Sequence, residues 1–239
     1  MKAPNASAIT SRSYSGLGVF VKLIVSTVCV LFFSVFAIAA KKNVTPELLL
    51  KETTEKYRKS ALVELSVEKT LITDLNPAGQ KHIGKIFLSA GLFRVENSEP
   101  EKSTLVFDGN YVWNEQPPSP DFPGPISVSR AKIDQKNKSQ ILFATLLTKE
   151  PITNQFKILK SSVEDSLTVF EAEPLQKDSN IKKLMIKIKT AKKEVVSISY
   201  TDEIGNKTEM AFTNTKLVSK KNPKLFKYKP PKGVQVTEL

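Results

Sequence analysis

The run Leu105-Val106-Phe107-Asp108-Gly109-Asn110-Tyr111-Val112-Trp113 places an Asp-Gly pair between two short β-branched and aromatic segments. Asp-Gly supplies the positive φ angles that a tight primed turn requires, so the run predicts a β-hairpin and antiparallel pairing. The same period continues upstream. Ile83 to Leu88 and Leu92 to Glu96 flank Ser89-Ala90-Gly91 as two more short strands. Val63, Leu65, Val67 and Leu71 alternate with Glu64, Ser66 and Glu68, and Asn76-Pro77-Ala78-Gly79 reads as a turn. Thr45-Pro46-Glu47 offers a capping hydroxyl, a proline at the first helical position and an acid at the positive helix end, predicting a helix to about Lys59.

Downstream of the hairpin, Pro117, Pro118, Pro120, Pro123 and Pro125 predict an irregular loop. Ser139 to Lys149 breaks the strand pattern: Ile141, Leu142, Phe143, Leu146 and Leu147 sit at helical spacings and Pro151 ends the run. Strand signals resume at Phe156–Leu159, Leu167–Ala172, Ile181–Thr190, Val195–Tyr200, Asn206–Phe212 and Leu225–Tyr228, with short turns between. Strands at this spacing predict a mainly β chain, an antiparallel meander curved into a sandwich or barrel.

The first forty residues stand outside that pattern. Lys2, Arg12 and Lys22 precede an uncharged run from Leu23 to Ala40 that closes on Ala37-Ile38-Ala39, before Lys41-Lys42. This order predicts a cleaved secretory signal peptide over residues 1–40, a single domain over 41–239 and export. The rival reading is an uncleaved anchor, since a run of this length can just span a bilayer. Cys29 is the one cysteine, so a chain processed after residue 40 holds no thiol or disulfide. The whole chain carries +12. Residues 41–180 balance, with equal numbers of acids and bases, and the excess lies in residues 181–239. Such a basic region can attract nucleic acid, anionic lipid or an acidic protein, and export removes most nucleic acid from reach.

Enzymatic readings find little material. His82 is the only histidine, so a Ser-His-Asp triad could use no other, and its place just after a turn suits a surface strand residue. No His/Cys cluster has metal-ligand spacing, and neither a Walker loop nor a G-x-G-x-x-G is present. The expectation is a protein without cofactor or metal, and not an enzyme.

Three stretches together resemble the LolA family of periplasmic lipoprotein carriers. Gly84-Lys85-Ile86-Phe87-Leu88 with Leu92-Phe93-Arg94-Val95 is similar to a pair of early strands in that family. The opening hairpin sequence is similar to its "L-V-x-D-G-x-x-L-W". Asp202-Glu203-Ile204-Gly205-Asn206-Lys207-Thr208, then Phe212, then Leu225 to Val234, resemble its closing "D-x-x-G-N-x-T … F-x-F-x-P-P-x-G-V". The resemblance spans about residues 45–236. It implies an incomplete, unclosed antiparallel β-barrel whose apolar concave face is covered by α-helices. It also implies a monomeric periplasmic chaperone, with no nucleic-acid partner, that binds the acyl chains of lipoproteins released by an inner-membrane ABC transporter and delivers them to an outer-membrane acceptor lipoprotein or membrane surface. The sequence departs from the family at Ala90-Gly91, where the pattern has Arg-Pro and the arginine is associated with lid closure.

Alternation then nominates lipid-binding residues. Phe93 and Val95 share one strand face, Leu105 and Phe107 the next, and Met210 and Phe212 a late strand; Phe87 joins them as a lesser candidate. Leu142 and Leu146, four apart, would present one face of a lid helix. The alternative is a lipid- or peptide-sensing envelope regulator on the same half-barrel.

Overall fold

The computed structural model describes residues 45–118, 121, 123–133, 147, 150–176 and 179–239. The predicted signal segment, residues 1–40, lies outside them.

Helix α1 (Pro46–Lys59) begins where the capping chemistry places it: the Thr45 hydroxyl accepts the Leu48 N–H at 3.3 Å, and Lys56, Arg58 and Lys59 occupy the last turn. Leu49, Leu50, Thr53, Thr54 and Tyr57 form its buried stripe. Among the described residues, the strands form one twelve-stranded sheet. Its strands are β1 (Leu62–Thr73), β2 (Asn76–Ser89), β3 (Leu92–Glu99), β4 (Ser103–Phe107), β5 (Tyr111–Gln116), β6 (Ser127–Lys132), β7 (Phe156–Glu164), β8 (Leu167–Pro174), β9 (Ile181–Lys189), β10 (Glu194–Asp202), β11 (Lys207–Val218) and β12 (Val236–Glu238).

The order β12-β6-β5-β4-β3-β2-β1-β11-β10-β9-β8-β7 explains why the barrel is incomplete. Two meanders, β1–β6 and β7–β11, are joined by the pairing of β1 with β11, and β7 and β12 are left as the two edges. All pairings are antiparallel except the short parallel ladder of β12 on β6. Between Ser66/Val67 the β1–β11 register shifts, because β11 carries one extra residue opposite β1. Bulges of this kind bend a strand and increase its twist, which curves the sheet.

Four local readings change. The first hairpin turns at Asp74-Leu75, and Asn76 to Gly79 already belongs to β2, because Thr73 pairs with Asn76. Leu225–Tyr228 is not a strand: Pro223–Phe226 is a 3-10 turn and the chain then runs irregularly. Strands β6 and β12 carry signals too short to read alone. Finally, Asp108 does not take a positive φ; Gly109 alone does, at 107°.

The face enclosed by the curve holds the main core, in which α1 residues Leu49, Leu50 and Tyr57 pack with β1, β2, β3, β4 and β8–β11. The outer face of the first meander carries a second, smaller cluster of Val106, Trp113 and Val128. It is closed by Tyr228, Val234 and Val236 from the C-terminal segment. Lys227, Lys229 and Lys232 alternate with those inward residues and are exposed.

Candidate functional site

Register converts the strand alternation into rows across the concave face. The first row runs Val112, Phe107, Phe93, Leu88, Val63, Leu217. The second runs Leu105, Val95, Ile86, Leu65. A lower row crosses the other meander as Met210, Ile198, Ile186, Phe170. Side chains in one row are directly opposed, so each row is continuous apolar surface.

This geometry brings together six residues nominated from sequence. Phe93, Phe107, Met210 and Phe212 are buried in the concave cluster, and Val95 and Leu105 pack against it half-buried. The Phe93 and Phe107 rings stack with centroids 5.8 Å apart. Phe87 is a correction. It pairs with Glu64 and Arg94, while Leu88 beside it pairs with Val63 and Phe93, so Phe87 points to the outer face. The period of two decides this: neighbours of Ile86 and Leu88 must face the other way. Leu142 and Leu146 lie outside the described residues. Their neighbour Leu147 is helical and buried in the concave cluster.

Two polar residues on this face were missed. Val67, Lys69 and Leu71 continue the inward alternation of β1, and Lys69 pairs with Met210 on one side and His82 on the other. His82 is therefore not a plain surface residue but half-buried beside Lys69 on the concave side. Burial lowers the Lys69 ammonium below its ordinary value, and burial followed by the neighbouring Lys69 charge lowers the His82 imidazole. The signal for Lys69 was available in the period of β1, but a charged residue in an inward position reads as a break in the pattern. Next to it the face turns polar, with Asn97 donating to the Ser103 hydroxyl at 2.8 Å.

The departure at Ala90-Gly91 also has a geometric reason. Both residues have positive φ, 49° and 88°, in the two-residue turn between β2 and β3. Proline is locked near −65°, so an Arg-Pro pair cannot occupy this turn as it stands. Gly84 is required for another reason: a Cβ there would lie 2.4 Å from the Glu96 carbonyl oxygen, where β2 and β3 slip by one residue.

On the outer face the Asp108 carboxylate accepts the backbone N–H of Asn110 and of Tyr111, both at 2.9 Å, and the Trp113 indole N–H at 2.8 Å. Tyr228 packs on Trp113 with centroids 5.3 Å apart and donates to Glu115. Arg130 lies over Tyr111 and Trp113 and pairs with Glu238 at 2.6 Å. The family-like hairpin and closing motifs are thus a clasp behind the sheet, opposite the concave face. Among the described residues no group of three or more His, Cys, Asp or Glu is placed to hold a metal ion.

Comparison with known proteins identifies the family. The family model described as outer membrane lipoprotein carrier protein LolA matches residues 77–229. An outer-membrane lipoprotein carrier protein from Vibrio cholerae serotype O1 is 30% identical over 209 residues, 87% of this chain and 95% of the relative. One from Legionella pneumophila is 25% identical over 153 residues, 62% of this chain and 69% of the relative. The crystal structure of a LolA superfamily protein from Nitrosomonas europaea aligns with a TM-score of 0.41 at 11% identity, covering 76% of this chain and 97% of that one. With a match over most of the chain and an unclosed sheet of the expected kind, this chain belongs to the LolA family of outer membrane lipoprotein carrier proteins.

Proposed function

We propose that the protein is a periplasmic carrier whose concave face shelters the acyl chains of lipoproteins released from the inner membrane, and that it delivers them to the outer membrane. The observation that carries this reading is the convergence of Phe93, Val95, Leu105, Phe107, Met210 and Phe212 on one apolar face of an open sheet beneath α1. The names of the relatives point the same way. In this reading residues 1–40 direct export, an inner-membrane ABC transporter supplies the cargo, and an outer-membrane lipoprotein or the membrane surface accepts it.

Energetics limit how tightly such a carrier holds its load. Burying an acyl chain gains about 0.8 kcal/mol per CH₂, so one chain of about 15 methylenes gains on the order of 12 kcal/mol. A protein realising all of that for several chains would not release them. Partial coverage, with the chains entering between α1 and the sheet, keeps transfer reversible. Leu142 and Leu146 belong to this reading as part of a cover that shifts when chains enter.

Native mass spectrometry of the protein isolated from its own periplasm tests the proposal. The expected result is a population carrying triacylated lipoprotein. Bound peptide without acyl chains would instead favour an envelope sensor, and a protein that neither co-purifies with nor takes up acylated cargo is not a carrier.

A further inference from the structure

Burial along β1 is graded. Val63, Leu65 and Val67 are 0%, 1% and 5% exposed, Lys69 and Leu71 are half-buried, and Leu75 at the turn is 99% exposed. At about 3.3 Å per residue, Lys69 stands about 20 Å from Val63, where the apolar face gives way to solvent. Its row continues as Met210, Ile198, Ile186 and Phe170, all buried in the concave cluster.

No hydrogen bond or ion pair is made by Lys69 to the described residues. The contrast with its neighbour on the outer face is instructive: Lys81 pairs with Glu68 at 2.8 Å. Lys69 faces the other way, across from His82, which adds no negative charge. The adjoining concave positions on β3 and β4 are Asn97 and Ser103, polar and neutral. A lysine whose stem lies along apolar surface ordinarily sends its ammonium to water. Here the ammonium is partly desolvated at the edge of an apolar face, an arrangement in which one convergent charge orients an amphiphile.

We propose that Lys69 is the headgroup site of the concave face, taking an anionic oxygen group, carboxylate or phosphate, at the end of an acyl chain that runs along Val67 and Leu65 toward Val63. The site rests on the reading that this face binds acyl chains, and it extends that reading from the lipid moiety of lipoproteins to anionic lipids. An incoming anion restores to the ammonium the partner that burial removed, so a charged head is favoured over a neutral one of the same length.

The test compares binding of palmitate with that of monopalmitin, and of dipalmitoyl phosphatidylglycerol with that of dipalmitoylglycerol, to the exported protein. Wild type is expected to prefer the anion of either pair by about tenfold. Preference within the first pair alone identifies a carboxylate ligand, and within the second alone a phosphate. Lys69→Met should remove the preference while keeping neutral-lipid binding, and Lys69→Arg should keep it. Lys69→Met also replaces a partly buried charge by an apolar chain of similar length, so it is expected to fold. An anion preference unchanged in Lys69→Met overturns the headgroup site and leaves the acyl-chain reading intact. Failure of all four lipids to bind overturns both.

Discussion

The Tyr57 hydroxyl accepts the backbone N–H of Val195 at 3.1 Å, joining residues 138 positions apart in sequence. Tyr57 lies in the last turn of α1 and is fully buried. The β10–β11 ladder begins only at Ser197, so the phenol serves a strand N–H that the ladder does not reach. Burial outweighs the hydrogen bond from Val195 and leaves the phenol above its ordinary pKa, so it stays neutral and keeps this role at physiological pH.

Tyr57→Phe removes the acceptor and leaves the Val195 N–H buried without a partner. The expected loss is about 1–3 kcal/mol in urea denaturation. Amide exchange should accelerate in residues 46–59 more than in β9. A variant as stable as wild type would show that water replaces the phenol and that this bond does not hold α1 to the sheet.

Stacking of Phe93 on Phe107 predicts coupling. Each Phe→Ala change is expected to cost about 3–5 kcal/mol through lost burial and the cavity left behind. The double variant should cost less than the two together by about 0.5–1.5 kcal/mol, since each single change already breaks the shared contact. Strict additivity in the double-mutant cycle would separate the two rings energetically.

Asp108 predicts acid sensitivity of the first meander. Burial alone would raise its carboxyl, but the N–H groups of Tyr111 and Asn110 and the Trp113 indole outweigh burial and hold it below the ordinary 3.8. A depressed folded value means that the group stabilises the fold above the ordinary value and loses that contribution as pH falls through the folded one. Urea midpoints of wild type and Asp108→Asn should therefore differ at about pH 6 and converge toward about pH 3. A gap independent of pH would assign the effect to hydrogen-bond geometry and not to charge.

Ala90 holds a left-handed φ of 49°. A Cβ in that region costs roughly 1–2 kcal/mol, partly offset by the extra chain entropy that glycine brings to the unfolded state. Ala90→Gly is expected to raise stability by up to about 1 kcal/mol. Gly91→Pro should strongly destabilise, because its φ of 88° is closed to proline. Thermal melts of both variants check the pair, and a neutral Gly91→Pro would mean that the turn rearranges freely.

Trp113 is the single tryptophan and sits behind the sheet, 8% exposed. Acyl ligands on the concave face should leave its emission unchanged. A tryptophan placed inside by Phe107→Trp, in a Trp113→Phe background, should respond to the same ligands. An emission shift from Trp113 in the wild-type protein would move the lipid site to the outer face.

Much of the fold was legible because strand alternation is a property of consecutive residues. Val63, Leu65 and Val67, the Asp108-Gly109 turn and the Thr45 cap state their own local structure, and the pairs Phe93/Val95 and Leu105/Phe107 follow from the period of two. Phe87 shows the limit. Its aromatic character suggested the pocket, yet it stands between Ile86 and Leu88, and once those two face inward the pleat sends it out. The closing motif shows another: Leu225 to Val234 contains aromatic and β-branched residues but has no strand to pair with until it reaches β6, so it folds as a strap whose lysines face outward.

Sequence alone determined the mainly β class, the start and stop of α1 and which residues of each strand share a side, because these depend on neighbours within a few positions. Only tertiary structure decided which side is concave, that β1 pairs with β11 to join two meanders while β7 and β12 stay apart, and that Lys69 lies at the edge of the apolar face. Those outcomes depend on pairings between residues more than a hundred positions apart, such as Val67 with Phe212 and Lys69 with Met210. Local periodicity carries no information about the partner chosen.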